Sequence, residues 1–125
     1  MTDVTGFGLA GHLLEICRGS SLSAQVEFDA VPVIPLAAEI AQSGTATGAS
    51  ARNWDGYGSS MALADGFAKW KQNLLSDPQT SGGLLIACAP EAAARVLDVF
   101  GEQGFNSAAV IGKLINKGAA NIQVS

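Results

Sequence analysis

The chain predicts an α+β domain whose mixed, mainly antiparallel sheet is covered by helices, and three observations carry that expectation. Apolar residues recur at helical spacing from Phe7 to Cys17 and from Ala94 to Phe100, whereas they alternate with polar ones from Ala24 to Phe28. Glycines and prolines punctuate the boundaries between such runs. The resulting order is helix, strand, helix, long loop, helix, strand, helix, strand, strand, which is that of helices packed on a sheet.

The first helix rests on Phe7, Ala10, Leu13, Leu14 and Cys17, with Gly19 as its expected C-cap. Ala24, Val26 and Phe28 alternate with Gln25 and Glu27, the period of a half-buried strand. Pro35 opens a short helix through Ala41, because a missing N–H costs nothing at the first helical position. From Gly44 to Ser60 there is no periodicity, and a long loop is expected. Trp54 and Tyr57 imply that it packs on something, and loops beyond about 12 to 15 residues are usually functional or disordered. Leu63, Phe67, Trp70, Leu74 and Leu75 mark the next helix, weakened by Gly66 and ended at Asp77-Pro78. Gly83–Ala89 reads as a buried strand, and Pro90 with Glu91 opens a helix carrying Ala94, Val96, Leu97 and Phe100, closed by Gly104. Ala108–Ile115 is a strand, Asn116-Lys117-Gly118 a turn, and Ala120–Val124 its expected hairpin partner.

Composition narrows the function classes. With 48% hydrophobic residues and a mean hydropathy of +0.27, the chain has material for one core, and its length fits one domain. The net charge is −4 and the seven Lys and Arg residues form no cluster, so nucleic acid is not an expected partner. No apolar run approaches the ~20 residues that span a bilayer and no basic segment leads an apolar one at the start, so a cytosolic protein without a membrane partner is expected. Cys17 and Cys88 both stand in apolar surroundings and read as small buried hydrophobes rather than a redox pair or metal site.

Two polar runs lead straight into apolar elements: Thr2-Asp3-Val4-Thr5-Gly6-Phe7-Gly8 and Asp77-Pro78-Gln79-Thr80-Ser81-Gly82-Gly83. Gly6, Gly8 and Gly11 have dinucleotide-loop spacing, but only five residues stand before Gly6 and prolines follow Glu27 to Ala30 closely, which makes that a weak match. The first run exposes N–H groups at a helix start, where Asp3 or Thr5 serves either as a cap or, for Asp3, as a Mg2+ ligand beside substrate phosphate. His12, the only histidine, stands three residues before Glu15 and lacks the partners of a zinc site, so a structural or surface role is expected. In the second run Pro78, Gly82 and Gly83 suit a turn, whereas Gln79, Thr80 and Ser81 form a donor-rich cluster fit to hold a ligand or a neighbouring loop. Ser81 has no base nearby in sequence to make it a nucleophile. Arg52 and Asn53 fit either a phosphate grip or a solvated surface pair.

Taken together, Thr2 to His12, Gly48 through Arg52-Asn53 with Tyr57-Gly58, and Asp77 to Leu85 closely resemble the C-terminal half of the selenophosphate synthetase (selenide, water dikinase) family. The resemblance spans nearly the whole chain, and the first and third motifs in combination separate it from relatives such as aminoimidazole ribonucleotide (AIR) synthetase. It implies a single AIR synthetase-like C-terminal domain, a layered α/β/α arrangement with partly ferredoxin-like topology, behind an N-terminal ATP-binding domain that also forms a homodimer. It further implies selenide and ATP as substrates, AMP and phosphate as products, and Mg2+ as cofactor. The family's catalytic cysteine or selenocysteine and its lysine fall in the N-terminal half, leaving no catalytic residue in this chain. Asp3 maps onto a family metal ligand. Thr2, Thr5, Gly6, Gly8, Arg52, Asn53, Asp77, Gln79, Thr80, Ser81, Gly82 and Gly83 then line the active-site loops. Ser76 stands where family members often carry cysteine.

Overall fold

The computed structural model describes all 125 residues. A short strand, β1 (Thr2–Asp3), leads into helix α1 (Gly8–Ser20) and strand β2 (Leu22–Val26). Helices α2 (Pro35–Gln42) and α3 (Gly48–Tyr57) precede β3 (Met61–Leu63) and α4 (Lys69–Leu75). Strand β4 (Leu84–Leu85), helix α5 (Ala93–Glu102) and strands β5 (Gly112–Asn116) and β6 (Ile122–Val124) complete the chain.

The main sheet runs β3-β6-β2-β5, and β1 pairs separately with β4. Pairing is antiparallel for β1–β4 and β2–β5 and parallel for β2–β6 and β3–β6. The fold is therefore α+β with a mixed sheet, although parallel pairing holds two of the main sheet's three ladders where mainly antiparallel pairing was expected.

Register sorts the two faces. Ala24 and Val26 lie level with Ile122 and Val124, and these with Met61 and Leu63, so one face is apolar. It packs on Leu13, Leu14 and Cys17 of α1, with Val4, Phe28, Leu75 and Leu85 completing the core. The opposite face carries Gln25, Ala62, Lys113 and Gln123, with Gln25 Nε2 donating to Gln123 Oε1 at 3.3 Å. Ala62, Lys113 and Gln123 are exposed, so a single helical layer covers this sheet rather than a full α/β/α sandwich.

The structure departs from sequence expectation at several points. Strands β5 and β6 are not hairpin partners, because β2 lies between them. Ser23, fully buried, fixes that arrangement: its hydroxyl accepts from Gly118 N and donates to Ala120 O, both at 2.9 Å, so the β5–β6 connection is stitched over the end of β2. The expected loop from Gly44 to Ser60 contains α3, capped by Thr47, whose side chain accepts from Ser50 N at 3.0 Å. The helix expected across Leu63 to Leu75 is divided into β3 and α4 by Gly66, at a φ of 74° that favours glycine. Helix α1 runs past Gly19 to Ser20, with Ser21 in the left-handed conformation behind it. Regular pairing in the segment from Gly83 to Ala89 is confined to Leu84–Leu85. Cys88 is exposed; only Cys17 is buried, and burial pushes its thiol pKa up. Helix α5 forms as expected but buries no residue fully; Val96, Leu97 and Phe100 face an open apolar cleft of about 1400 Å³.

Candidate functional site

The two motif loops are brought together by main-chain bonds. Thr2 and Asp3 stand opposite Leu85 and Leu84, Val4 N donates to Gly83 O at 3.0 Å, and Gln79 N donates to Thr5 O at 3.1 Å. The approach is so close that a Cβ on Gly82 would collide with the Val4 carbonyl. Gly8, with a φ of 72°, packs on the turn after α4, where a Cβ would come within 2.8 Å of Ser76 C and 2.9 Å of Leu75 O. These glycines permit backbone contact that no side chain would allow.

Helix α3 braces the same junction. Ser50, Asn53 and Tyr57 recur at i, i+3 and i+7, which puts them on one side of a helix. Ser50 Oγ donates to Asn73 O at 2.8 Å and lies 2.8 Å from Ser76 Oγ, with both serines buried. Asn53 Nδ2 donates to Gly6 O at 2.9 Å and to Ser76 O at 3.0 Å. Tyr57 OH donates to Phe7 O. Burial pushes the Tyr57 phenol up to about 12, against a smaller opposing effect of a hydrogen bond from the Gly11 backbone.

Neither Asp3 nor Thr5 caps α1, whose N-cap position, Phe7, has no side-chain cap bond. Thr5 Oγ1 instead lies 3.0 Å from His12 Nε2, and the Thr5 carbonyl also accepts from Gly8 N at 3.0 Å. His12 is buried and structural; its Nδ1 makes no hydrogen bond, with Glu15 Oε2 3.3 Å away but not aligned for one. Burial raises the Asp77 pKa, partly offset by Gln79 Nε2 donating to Asp77 Oδ2 at 3.0 Å.

Residues 1–125 match the model of the family described as AIR synthase related protein, C-terminal domain. The chain belongs to that family. Among the relatives of this AIR synthase related domain are proteins named selenide, water dikinase. That of Dechloromonas aromatica is 54% identical over 114 residues, covering 91% of this chain and 33% of that protein. That of Burkholderia pseudomallei is 51% identical over 125 residues, or 100% and 35%. The Rhizobium meliloti protein is 46% identical over 124 residues, or 99% and 35%. The domain thus spans about a third of the length of these relatives.

Within the AIR synthase related domain, most of the residues singled out by sequence converge. Thr2, Asp3, Thr5, Gly6 and Gly8 form one side of the junction, and Asp77, Gln79, Thr80, Ser81, Gly82 and Gly83 the other. Asn53 joins them as a brace, whereas Arg52 is exposed and makes no hydrogen bond or ion pair. The amides of Thr80, Ser81, Gly82 and Gly83 meet no acceptor in the chain, and all four residues are exposed. Asp3 is exposed and its carboxylate is in no hydrogen bond or ion pair. No three His, Cys, Asp or Glu side chains cluster as a metal cage, so a cation held by Asp3 would complete its shell from outside this domain. That donor set suits Mg2+, which binds through one or two carboxylates with phosphate oxygens and water. Ser50 and the Ser76 hydroxyl escaped sequence reading, although the spacing of Ser50, Asn53 and Tyr57 held the signal.

Proposed function

We propose that this chain is the C-terminal domain of a selenide, water dikinase, which converts selenide, ATP and water into selenophosphate, AMP and phosphate. The observation that carries the reading is the union of the two motif loops, which gathers a free Asp3 carboxylate and the open Thr80–Gly83 amides at one junction. Support comes also from relatives of that name at about half identity over the whole chain.

In this reading Asp3 helps to hold Mg2+, and the ion neutralises charge on ATP phosphate oxygens. The Thr80, Ser81, Gly82 and Gly83 amides donate to phosphate, Arg52 supplies a guanidinium at the rim, and Thr2, Thr5 and Gln79 hold the loops in place. An N-terminal ATP-binding domain supplies the remaining carboxylates and the nucleophile, and packs against exposed apolar residues such as Ile34, Leu36 and Phe105. The working enzyme is a cytoplasmic homodimer. Alone the domain is inactive, because phosphoryl transfer requires ATP and several charges to be positioned at once.

The test is selenide-dependent AMP formation from Mg-ATP by this chain combined with a matching N-terminal half, with Asp3→Asn alongside. Activity that needs both halves and collapses in Asp3→Asn, with unfolding behaviour unchanged, is the expected result. Selenide-independent turnover would assign the domain to another member of the family, and a well-formed complex indifferent to Asp3 would make it a non-catalytic module.

A further inference from the structure

Asn53 makes contacts that its position on a helix surface does not require. Its Nδ2 group has two hydrogens, and each goes to a main-chain carbonyl on a different side of the loop junction: Gly6 O at 2.9 Å and Ser76 O at 3.0 Å. Ser76 is the C-cap of α4, so its carbonyl is among those a helix end leaves without an intrahelical donor. Gly6 lies two residues before α1 and directly after Thr5, whose carbonyl accepts from Gln79 N. One turn earlier on α3, Ser50 caps a second carbonyl of the same α4 terminus, that of Asn73. Asn53 alone links the α4 terminus to the first loop through one side-chain group.

We infer that Asn53 is a positioning residue that sets the spacing between the two loops, holding the segment after Asp3 in register with the open amides of Thr80–Gly83. It acts through main-chain carbonyls, to which both Nδ2 hydrogens are committed. The chemistry demands an amide. A carboxylate at this position would face two carbonyl oxygens with no proton to offer, and an alanine would leave both without a donor. Glutamine has the right group on a stem one methylene too long. The purpose of the spacing rests on the dikinase reading, but the spacing itself is measurable without it.

The experiment is amide hydrogen exchange on the 125-residue chain, read at four positions. Val4 and Gln79 report the cross-loop bonds to Gly83 O and Thr5 O, and Ala24 and Phe28 report the sheet through bonds to Asn121 O and Ser125 O. Asn53→Ala is expected to lower protection at Val4 and Gln79 about tenfold or more while Ala24 and Phe28 keep theirs, as local opening requires. Asn53→Asp should behave like Asn53→Ala at pH 7 and regain part of the lost protection below about pH 5, where a protonated carboxyl offers one donor. A side chain that acted only by filling space would not produce that recovery. Unchanged protection at Val4 and Gln79 in Asn53→Ala would overturn the inference. So would an equal loss at all four amides, or wild-type protection in Asn53→Asp at neutral pH. None of these outcomes depends on selenide turnover, so the dikinase reading can fail while this one stands.

Discussion

Gly8→Ala tests the claim that direct backbone contact builds the loop junction. Two costs add at this position. The φ of 72° lies in the left-handed region, which costs an L-residue about 1 kcal/mol. The new methyl would also sit 2.8 Å from Ser76 C, 2.9 Å from Leu75 O and 3.0 Å from Asp77 O. All three are main-chain atoms that cannot swing aside as a flexible side chain would, and overpacking of that kind costs about 1–3 kcal/mol. The sum is ~2–4 kcal/mol, or a fall in Tm of about 8–16 °C at roughly 4 °C per kcal/mol for a chain of this size. Gly44 provides the control, since its φ of 91° carries the same conformational cost while nothing lies within 4 Å of its Cβ position. Gly44→Ala should therefore lower Tm by only about 4 °C. Thermal unfolding of the two variants, followed by circular dichroism, decides the matter. Equal losses would show that α1 does not seat on the end of α4, and the geometry of the junction would be wrong.

Tyr57 is the only tyrosine, so phenolate absorbance reports it alone, and its midpoint should lie near 12 in the folded chain and return to about 10 in denaturant. Because the folded pKa exceeds the unfolded one, the stability associated with the neutral phenol is complete below about pH 10 and is lost as pH rises through 12. A folded midpoint near 10 would mean that the ring is not packed between α3 and α1. Ser23→Ala should cost about 1–3 kcal/mol in urea unfolding, since Gly118 N and Ala120 O both lose their partner next to a fully buried position. A loss below about 0.5 kcal/mol would be too small for those bonds and would contradict the stitched arrangement of β5 and β6.

Much of the fold was legible because periodicity reports burial, and burial dominates where α1 meets the sheet. The stripe through Ala10, Leu13, Leu14 and Cys17 is indeed core, and Ala24 and Val26 face it. The same signal fails for α3, whose packed side is polar: Ser50, Asn53 and Tyr57 are held by hydrogen bonds, which leave no apolar period to read. It fails again for strand partners, because alternation shows that a segment is extended but not which neighbour it takes. The two loops stood out in sequence through their density of glycine and hydroxyl residues. What could not be seen was the division of labour within them. Thr5 turns out to hold His12 and Gln79, while Thr80 and Ser81 are the ones left open.

The placement of β6 between β2 and β3 has a consequence for how the chain reaches this state. A central strand contributed by residues 122–124 means that β3, about sixty residues earlier in the chain, has nothing to pair with until β6 is in place. On the other side of β6, the Phe28 and Ser125 backbone groups close its seam with β2, Phe28 N on Ser125 O at 2.8 Å and Ser125 N on Val26 O at 3.0 Å. Pairings so distant along the chain are slow to form, since the intervening loop must be ordered before any bond rewards it. During synthesis the helices can condense on β2 early, but β3 stays outside the sheet until residues 122–124 have been made. Removal of residues 122–125 would take out the keystone rather than a fringe.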